Sequence, residues 1–257
     1  MKKTADLFTM KKNRNKISML TAYDYQTAKL LESAGIDIIL VGDSLGNVFQ
    51  GKGTTRKVTM EHMLYHTEAV ARGAKNTYIV SDMPYKSYET PDSAIKHAKL
   101  LLEAGAHAVK YEGSFPVILS ALRTENIEVM GHLGLLPQTA EAFKVQGKEE
   151  ARAKEILANA KTMAEGGVFS LVLECVPEGL AKTISQEIDV PVIGIGAGSF
   201  CDGQVLVVND LLNIEDSKKP KFVKAYADLS SVIQNAVSEY IAEVKAKSFP
   251  GDEHTYH

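Results

Sequence analysis

The chain has 257 residues, 45% of them apolar and 24% charged, with a formal net charge of −3. That is an ordinary globular composition. It gives no electrostatic reason to bind nucleic acid, and no run reaches the ~18 apolar residues of a membrane-spanning helix. Cys175 and Cys201 are too few for a disulfide framework and read as small buried hydrophobes. The opening "MKKTADLFTMKKNRNK" lacks the apolar stretch of a signal peptide, so the expectation is a cytoplasmic protein.

In chain order, Thr4 to Met10 suggests a short helix, followed by recurring β-branched runs. The first four candidate strands are Lys16–Tyr23, Ile36–Asp43, Thr77–Asp82 and His107–Gly113. The next four are Ile127–Gly134, Ser170–Val176, Pro191–Gly198 and Gly203–Asp210. These runs show little polar alternation, as expected of strands covered on both faces. Helical patterns separate most of them. One begins with Thr59 as N-cap, and another runs from Pro91, suited to a first turn, to Gly105 at its end. A long amphipathic segment stops at Gly166-Gly167, and a further helix opens at Pro177. Only "SFCDG" separates strands seven and eight, too short for a full helix, and the longest helical region spans Lys221 to Ala246. Eight strands of this kind close a barrel. The expected fold is therefore α/β, a (βα)8 TIM barrel forming one domain over residues 1–257. The short N-terminal helix would plug its bottom, and a long helical region would follow the last strand.

Active sites of such barrels lie where the strands end. Those ends carry Tyr23 and Asp24, Asp43 and Ser44, Asp82, Lys110 and Glu112, His132, Glu174, and Asn209 and Asp210. An aspartate at a strand end commonly caps the following helix. That role suits Asp43 and Asp82 poorly, because the next helical patterns begin only at Thr59 and Pro91. Glu174 lies within the apolar "LVLECVP", where an unpartnered carboxylate would be costly. Several acids and one lysine at one mouth would repel each other unless a hard divalent cation such as Mg2+ joined them. The pattern suggests a metal site with one carboxylate left for proton transfer.

"GDSLG" also spells G-x-S-x-G and resembles the first block of the GDSL esterases. The expected strand–turn–helix is missing there, since "NVFQGKGTTRKV" shows no helical period, and the C-terminal Asp-x-x-His block fails at Thr255. Ser44 reads better as a substrate-holding group. His62 and His66, four apart, lack the Glu of a zinc helix and read as an outward helix face. "GIGAGS" is not a dinucleotide loop; its glycines suit close backbone approach. His132 in "GHLGL" reads equally as a substrate contact or a satisfied buried histidine.

The motifs "TAYDY", "LVGDSLG", "YHTEAV", "VKYEG", "GHLGL", "KVQG", "LVLECVP", "PVIGIGAG", "DGQVLV" and "PGDEHTYH", taken together and in order, resemble the ketopantoate hydroxymethyltransferase family. The resemblance implies a barrel of the phosphoenolpyruvate/pyruvate superfamily acting in pantothenate and coenzyme A synthesis. It implies transfer of the one-carbon unit of 5,10-methylenetetrahydrofolate to 3-methyl-2-oxobutanoate, giving 2-dehydropantoate and tetrahydrofolate. By position it implies Asp43 and Asp82 as Mg2+ ligands, with Glu112 as the third metal-site acid, directly or through water. It implies Asp43, Ser44, Asp82 and Lys110 as keto-acid contacts, Glu174 as proton acceptor, and a homo-oligomer, often a decamer. The loop before Lys144-Val145-Gln146-Gly147 is shorter than the family's, Leu136 replaces a common Thr, and "LLN" replaces the usual ending after strand eight. A Mg2+-dependent C–C lyase or mutase on an α-keto acid, a serine esterase, and a non-catalytic metabolite-binding barrel are the alternatives.

Overall fold

The structure is a computed structural model that describes residues 2–215 and 219–257. Two compact units divide the chain, one up to Val207 and the other Val208–His257. The first opens with α1 (Thr4–Lys12), β1 (Ile17–Thr21), α2 (Tyr25–Ser33), β2 (Ile38–Val41) and a one-turn α3 (Leu45–Val48). It continues with α4 (Met60–Gly73), β3 (Tyr78–Asp82), α5 (Pro91–Glu103), β4 (Ala108–Lys110), α6 (Pro116–Thr124) and β5 (Val129–Gly134). It ends with α7 (Glu150–Glu165), β6 (Ser170–Glu174), α8 (Glu178–Glu187), β7 (Val192–Ile195) and β8 (Gly203–Leu206). All neighbouring strands pair in parallel, and β8 returns to β1 to close the barrel.

Closure follows from a period-two row of apolar side chains. Ile17 and Met19, Ile38 and Leu40, Tyr78 and Val80, Ala108, Met130, Val172, Ile193 and Val205 form one buried cluster inside the barrel. Successive strand residues point to opposite faces, so these positions share the interior while their neighbours on β2 to β7 meet the helices. Leu7 of α1 is fully buried in the same cluster, and Thr4 Oγ1 lies 3.2 Å from Tyr78 Oη at the start of β3. The N-terminal helix thus plugs the amino-terminal end of the barrel, as expected.

The helices start where the chain supplies caps. Thr90 accepts from the Ser93 N–H, and Pro91 follows in the first turn. Thr59 accepts from the His62 N–H while His62 Nδ1 accepts from the Thr59 N–H, a reciprocal cap with histidine in place of the usual Glu.

Three expectations need correction. The chain turns helical directly after Ser44, in α3, so a helix does follow "GDS". The last strand stops at Leu206, and Asn209 and Asp210 lie on α9 (Val208–Leu212) rather than at a strand end. The final helix, α10 (Leu229–Ala246), begins eight residues later than Lys221. Asp228 sets that start by accepting from the Ser231 N–H and hydroxyl. Within this second unit α10 exposes Ile233, Val237, Tyr240, Ile241 and Val244, spaced as one stripe of the helix.

Candidate active site

The interior row that builds the core continues upward into polar residues. Two positions beyond Val80, Ala108, Met130 and Val172 stand Asp82, Lys110, His132 and Glu174, and Glu112 follows Lys110 by two. The same alternation that places the apolar layer inside therefore aims these side chains into the carboxyl-terminal mouth. β4 stops at Lys110, so Glu112 is held by its loop rather than by the sheet. Asp43, Asp82, Lys110, Glu112 and His132 are each no more than 4% exposed. Glu174 keeps 15% of its side chain open.

These groups form one connected set. The Asp43 N–H donates to Asp82 Oδ2 at 3.0 Å, and Lys110 Nζ lies 2.8 Å from Asp82 Oδ1. Lys110 Nζ donates to His132 Nδ1 at 3.4 Å, and His132 Nε2 lies 3.2 Å from Glu174 Oε2. An ammonium only donates, so Nδ1 accepts and the proton of the neutral imidazole belongs on Nε2, facing Glu174. Burial, and then the charge of Lys110, hold the His132 pKa below its ordinary value and favour that neutral ring. Burial opposes the charge on Lys110, but Asp82, Glu112 and Asp43 outweigh it and raise the ammonium's pKa.

The acids outnumber their cation. Burial and the neighbouring Asp82 push Asp43 up to about 7, and burial with Asp43 raises Glu112 well above the usual carboxylate range. Asp82 Oδ1 and His132 Nε2 meet charged groups, Lys110 at 2.8 Å and Glu174 at 3.2 Å, deep in the mouth. Groups crowded in that way face a ligand more readily than they stabilise a fold.

Gln138, which sequence reasoning did not single out, organises the acidic half. Its side-chain amide donates to Asp43 Oδ2 at 2.8 Å and to the Met83 carbonyl at 2.9 Å, while its backbone N–H donates to Glu112 Oε2 at 2.9 Å. Tyr88 Oη donates to Gln138 Oε1 at 2.5 Å, and Arg56 clasps the Gln138 and Ala140 carbonyls from outside. The residue lies in the "GHLGLLPQ" stretch, but a loop without periodicity does not reveal which side chain turns inward.

Ser44 pairs its hydroxyl with Tyr23 Oη at 2.9 Å. Its backbone is ordinary right-handed helical (φ −51, ψ −18), unlike the strained turn of a nucleophile elbow. The failure of the esterase reading therefore rests on this backbone and on the Asp-x-x-His block broken at Thr255, not on a missing helix. His66 also departs from expectation. It is buried, and Nδ1 donates to the Tyr23 carbonyl at 2.6 Å, so only His62 is left near the surface of α4. Cys201 is buried, as expected, whereas Cys175 is only half-buried.

Among the described residues no three His, Cys, Asp or Glu side chains converge as a ready cage. Gln138 bridges Asp43 and Glu112, and Lys110 pairs with Asp82. Mg2+ does not need such a cage, because it takes one or two carboxylates and completes its shell with water and substrate oxygens. Hard oxygen donors and an excess of buried carboxylates over cations fit such an ion.

A closed eight-stranded barrel with its titratable side chains gathered at the carboxyl-terminal rim defines an enzyme of the TIM-barrel class. The sequence pattern of ketopantoate hydroxymethyltransferase matches residues 1–252. The chain is 51% identical over 259 residues to a 3-methyl-2-oxobutanoate hydroxymethyltransferase of Caldicellulosiruptor saccharolyticus, covering 98% of each chain. It is 51% identical over 264 residues to the enzyme of that name from Enterococcus faecalis, covering 100% of this chain and 96% of that one. Among solved structures it resembles phosphonopyruvate hydrolase in complex with oxalate and Mg2+ (TM-score 0.65, 13% identity, 100% of this chain and 92% of that one). It also resembles 2,3-dimethylmalate lyase, a PEP mutase/isocitrate lyase superfamily member (TM-score 0.60, 15% identity, 98% and 91%). Those distant likenesses concern the fold alone. The chain belongs to the ketopantoate hydroxymethyltransferase family and is a hydroxymethyltransferase.

Proposed function

We propose that the chain transfers the one-carbon unit of 5,10-methylenetetrahydrofolate to 3-methyl-2-oxobutanoate, giving 2-dehydropantoate and tetrahydrofolate for pantothenate and coenzyme A synthesis. The observation that carries this reading is the connected row Asp82–Lys110–His132–Glu174, which runs from excess buried carboxylate to a partly open one. Asp43 and Asp82 would hold Mg2+, with Glu112 behind them. Bound there, the ion supplies Lewis-acid stabilisation of the charge that gathers on the keto oxygen.

The residues divide the remaining work. Lys110, kept charged by its acidic neighbours, offsets negative charge on the keto acid, and Ser44 and the Asp43–Asp82 pair hold its oxygens. Glu174 takes the proton from C3. His132 presents its Nε2 hydrogen to Glu174 Oε2 and orients the carboxylate toward that carbon. Water hydrolyses the folate's methylene bridge, freeing tetrahydrofolate and leaving the one-carbon unit at the formaldehyde level. The carbanion at C3 attacks that carbon, and the alkoxide formed takes up the proton that Glu174 removed.

Family resemblance further supports a homo-oligomer of decameric size, a cytoplasmic location, and residues 1–257 acting as one domain. The apolar stripe of α10 is surface that such an assembly would cover. Among the described residues no helix is long and apolar enough to cross a membrane.

An assay of 2-dehydropantoate formation from the branched keto acid and methylenetetrahydrofolate, with and without Mg2+, tests the reading. Product dependent on both folate and Mg2+ is expected. Cleavage of an α-keto acid without folate would instead identify a lyase of the same superfamily.

A further inference from the structure

Gln138 is 1% exposed, yet its backbone N–H and C=O and both polar ends of its side chain are partnered. The two hydrogens of its amide nitrogen go to Asp43 Oδ2 and the Met83 carbonyl, and its amide oxygen takes the Tyr88 hydroxyl. Reversing the amide would set its oxygen against a carboxylate and a carbonyl, so this network allows one orientation. Four loops meet at this side chain and its backbone, those following β2, β3, β4 and β5. Arg56 closes the group by donating to the Gln138 carbonyl at 2.9 Å and the Ala140 carbonyl at 2.8 Å.

With Gln138 held on Asp43 Oδ2, Oδ1 would be the freer oxygen of this carboxylate for a cation. The donated hydrogen also lowers the cost of a second buried negative charge beside Asp82. Gln138 touches neither the lysine nor the glutamate end of the row. We propose that Gln138 is a positioning residue that sets the affinity of the site for its divalent cation by fixing the Asp43 carboxylate, without a part in proton transfer. This inference rests on the cation-dependent reading of the site given above.

Calorimetric titration of Mg2+ into the intact protein with saturating 3-methyl-2-oxobutanoate, paired with NMR of C3–H exchange in D2O across Mg2+ concentrations, tests it. Gln138→Met preserves the volume and the backbone N–H to Glu112 but removes both amide donors. It is expected to weaken Mg2+ binding at least about tenfold, the usual effect of losing a group that orients a metal ligand. The exchange rate at saturating Mg2+ should return to within about threefold of the parent, because the proton-transfer groups are untouched. Tyr88→Phe frees the amide oxygen, with loss also of a long 3.4 Å contact from the Glu112 N–H, while leaving the Asp43 and Gln138 side chains in place. This variant should weaken Mg2+ binding in the same direction by a smaller factor. It provides the test if Gln138→Met does not fold. An Mg2+ affinity equal to the parent's in the folded variants overturns the proposal, as does exchange that stays depressed at saturating Mg2+. If the parent itself neither binds Mg2+ nor exchanges, the functional reading falls with it; if the parent does both and the variants titrate identically, only the role of Gln138 falls.

Discussion

At Gly134 the backbone of β5 passes so close to β6 that an added Cβ would lie 2.2 Å from the Glu174 carbonyl oxygen. Its φ of +96 also lies where side-chain-bearing residues are strained. Gly134→Ala must therefore move the segment that carries Glu174. A loss of several degrees in melting temperature is expected together with a fall in C3–H exchange; parent-like values of both would show that the close approach relaxes harmlessly. Asp37, at the other end of the barrel, ties Lys2 to Ser18 of β1. Burial works to raise its pKa, but hydrogen bonds from Lys2 and from the Ser18 N–H and hydroxyl outweigh it and lower the value. A depressed carboxylate stabilises the fold above its unfolded pKa and loses that contribution as pH falls through the folded value. Asp37→Asn should thus cost about 1 kcal/mol at neutral pH, with the gap to the parent closing as acid protonates the native aspartate. Melting curves across that range check the sign. Asp82, Lys110, His132 and Glu174 were legible as strand-end residues because period-two alternation carries the interior row into the mouth, and Glu112 keeps that spacing just past β4. Asp43 lies off the row, beyond the end of β2, and was legible only from its place after an unbroken apolar run. Gln138 and His66 were not, since one lies on a loop and the other is a polar residue whose inward turn depends on a carbonyl from β1's end.

Elements were legible where burial or a cap leaves a mark on the sequence. β2 to β7 are buried along nearly all their length and read as apolar runs, whereas β1 and β8 each expose a polar side chain, Ser18 and Gln204. α5 announces itself through Pro91 and Gly105. Elements of one or two turns leave no such mark. α3 has four residues, less than the window in which a 3.6 period can be detected. Val207 to Asp210 prolongs an apolar run and reads as strand, although the chain turns into α9, because periodicity cannot separate a short buried helix from a buried strand. α1 is the element whose removal the barrel should feel most. Leu7 is fully buried inside it, so Leu7→Ala is expected to destabilise by about 2–5 kcal/mol. Chemical denaturation measures this directly, and a change under 1 kcal/mol would mean that the plug is dispensable. Thr90→Ala, which removes only a cap, should cost about 1 kcal/mol.

At the scale of the whole chain, function depends on division of labour between the two ends of the barrel. The amino-terminal end is closed by an apolar plug, which leaves the carboxyl-terminal end free to gather charges that no stable core would choose. Three carboxylates, one ammonium and one neutral imidazole lie buried there, balanced as a set that a divalent cation and an anionic keto acid would complete. The excess negative charge should make the empty site less stable than the filled one, so Mg2+ with 3-methyl-2-oxobutanoate should raise the melting temperature more than either alone. Equal melting in all four conditions would argue against a shared site. The central claim concerns Glu174 and is tested most directly by exchange of the C3 hydrogen of 3-methyl-2-oxobutanoate in D2O, followed by NMR without folate. The parent should exchange it in a Mg2+-dependent manner, and Glu174→Gln should slow that exchange at least about 100-fold. Exchange by Glu174→Gln at the parent's rate would contradict the account.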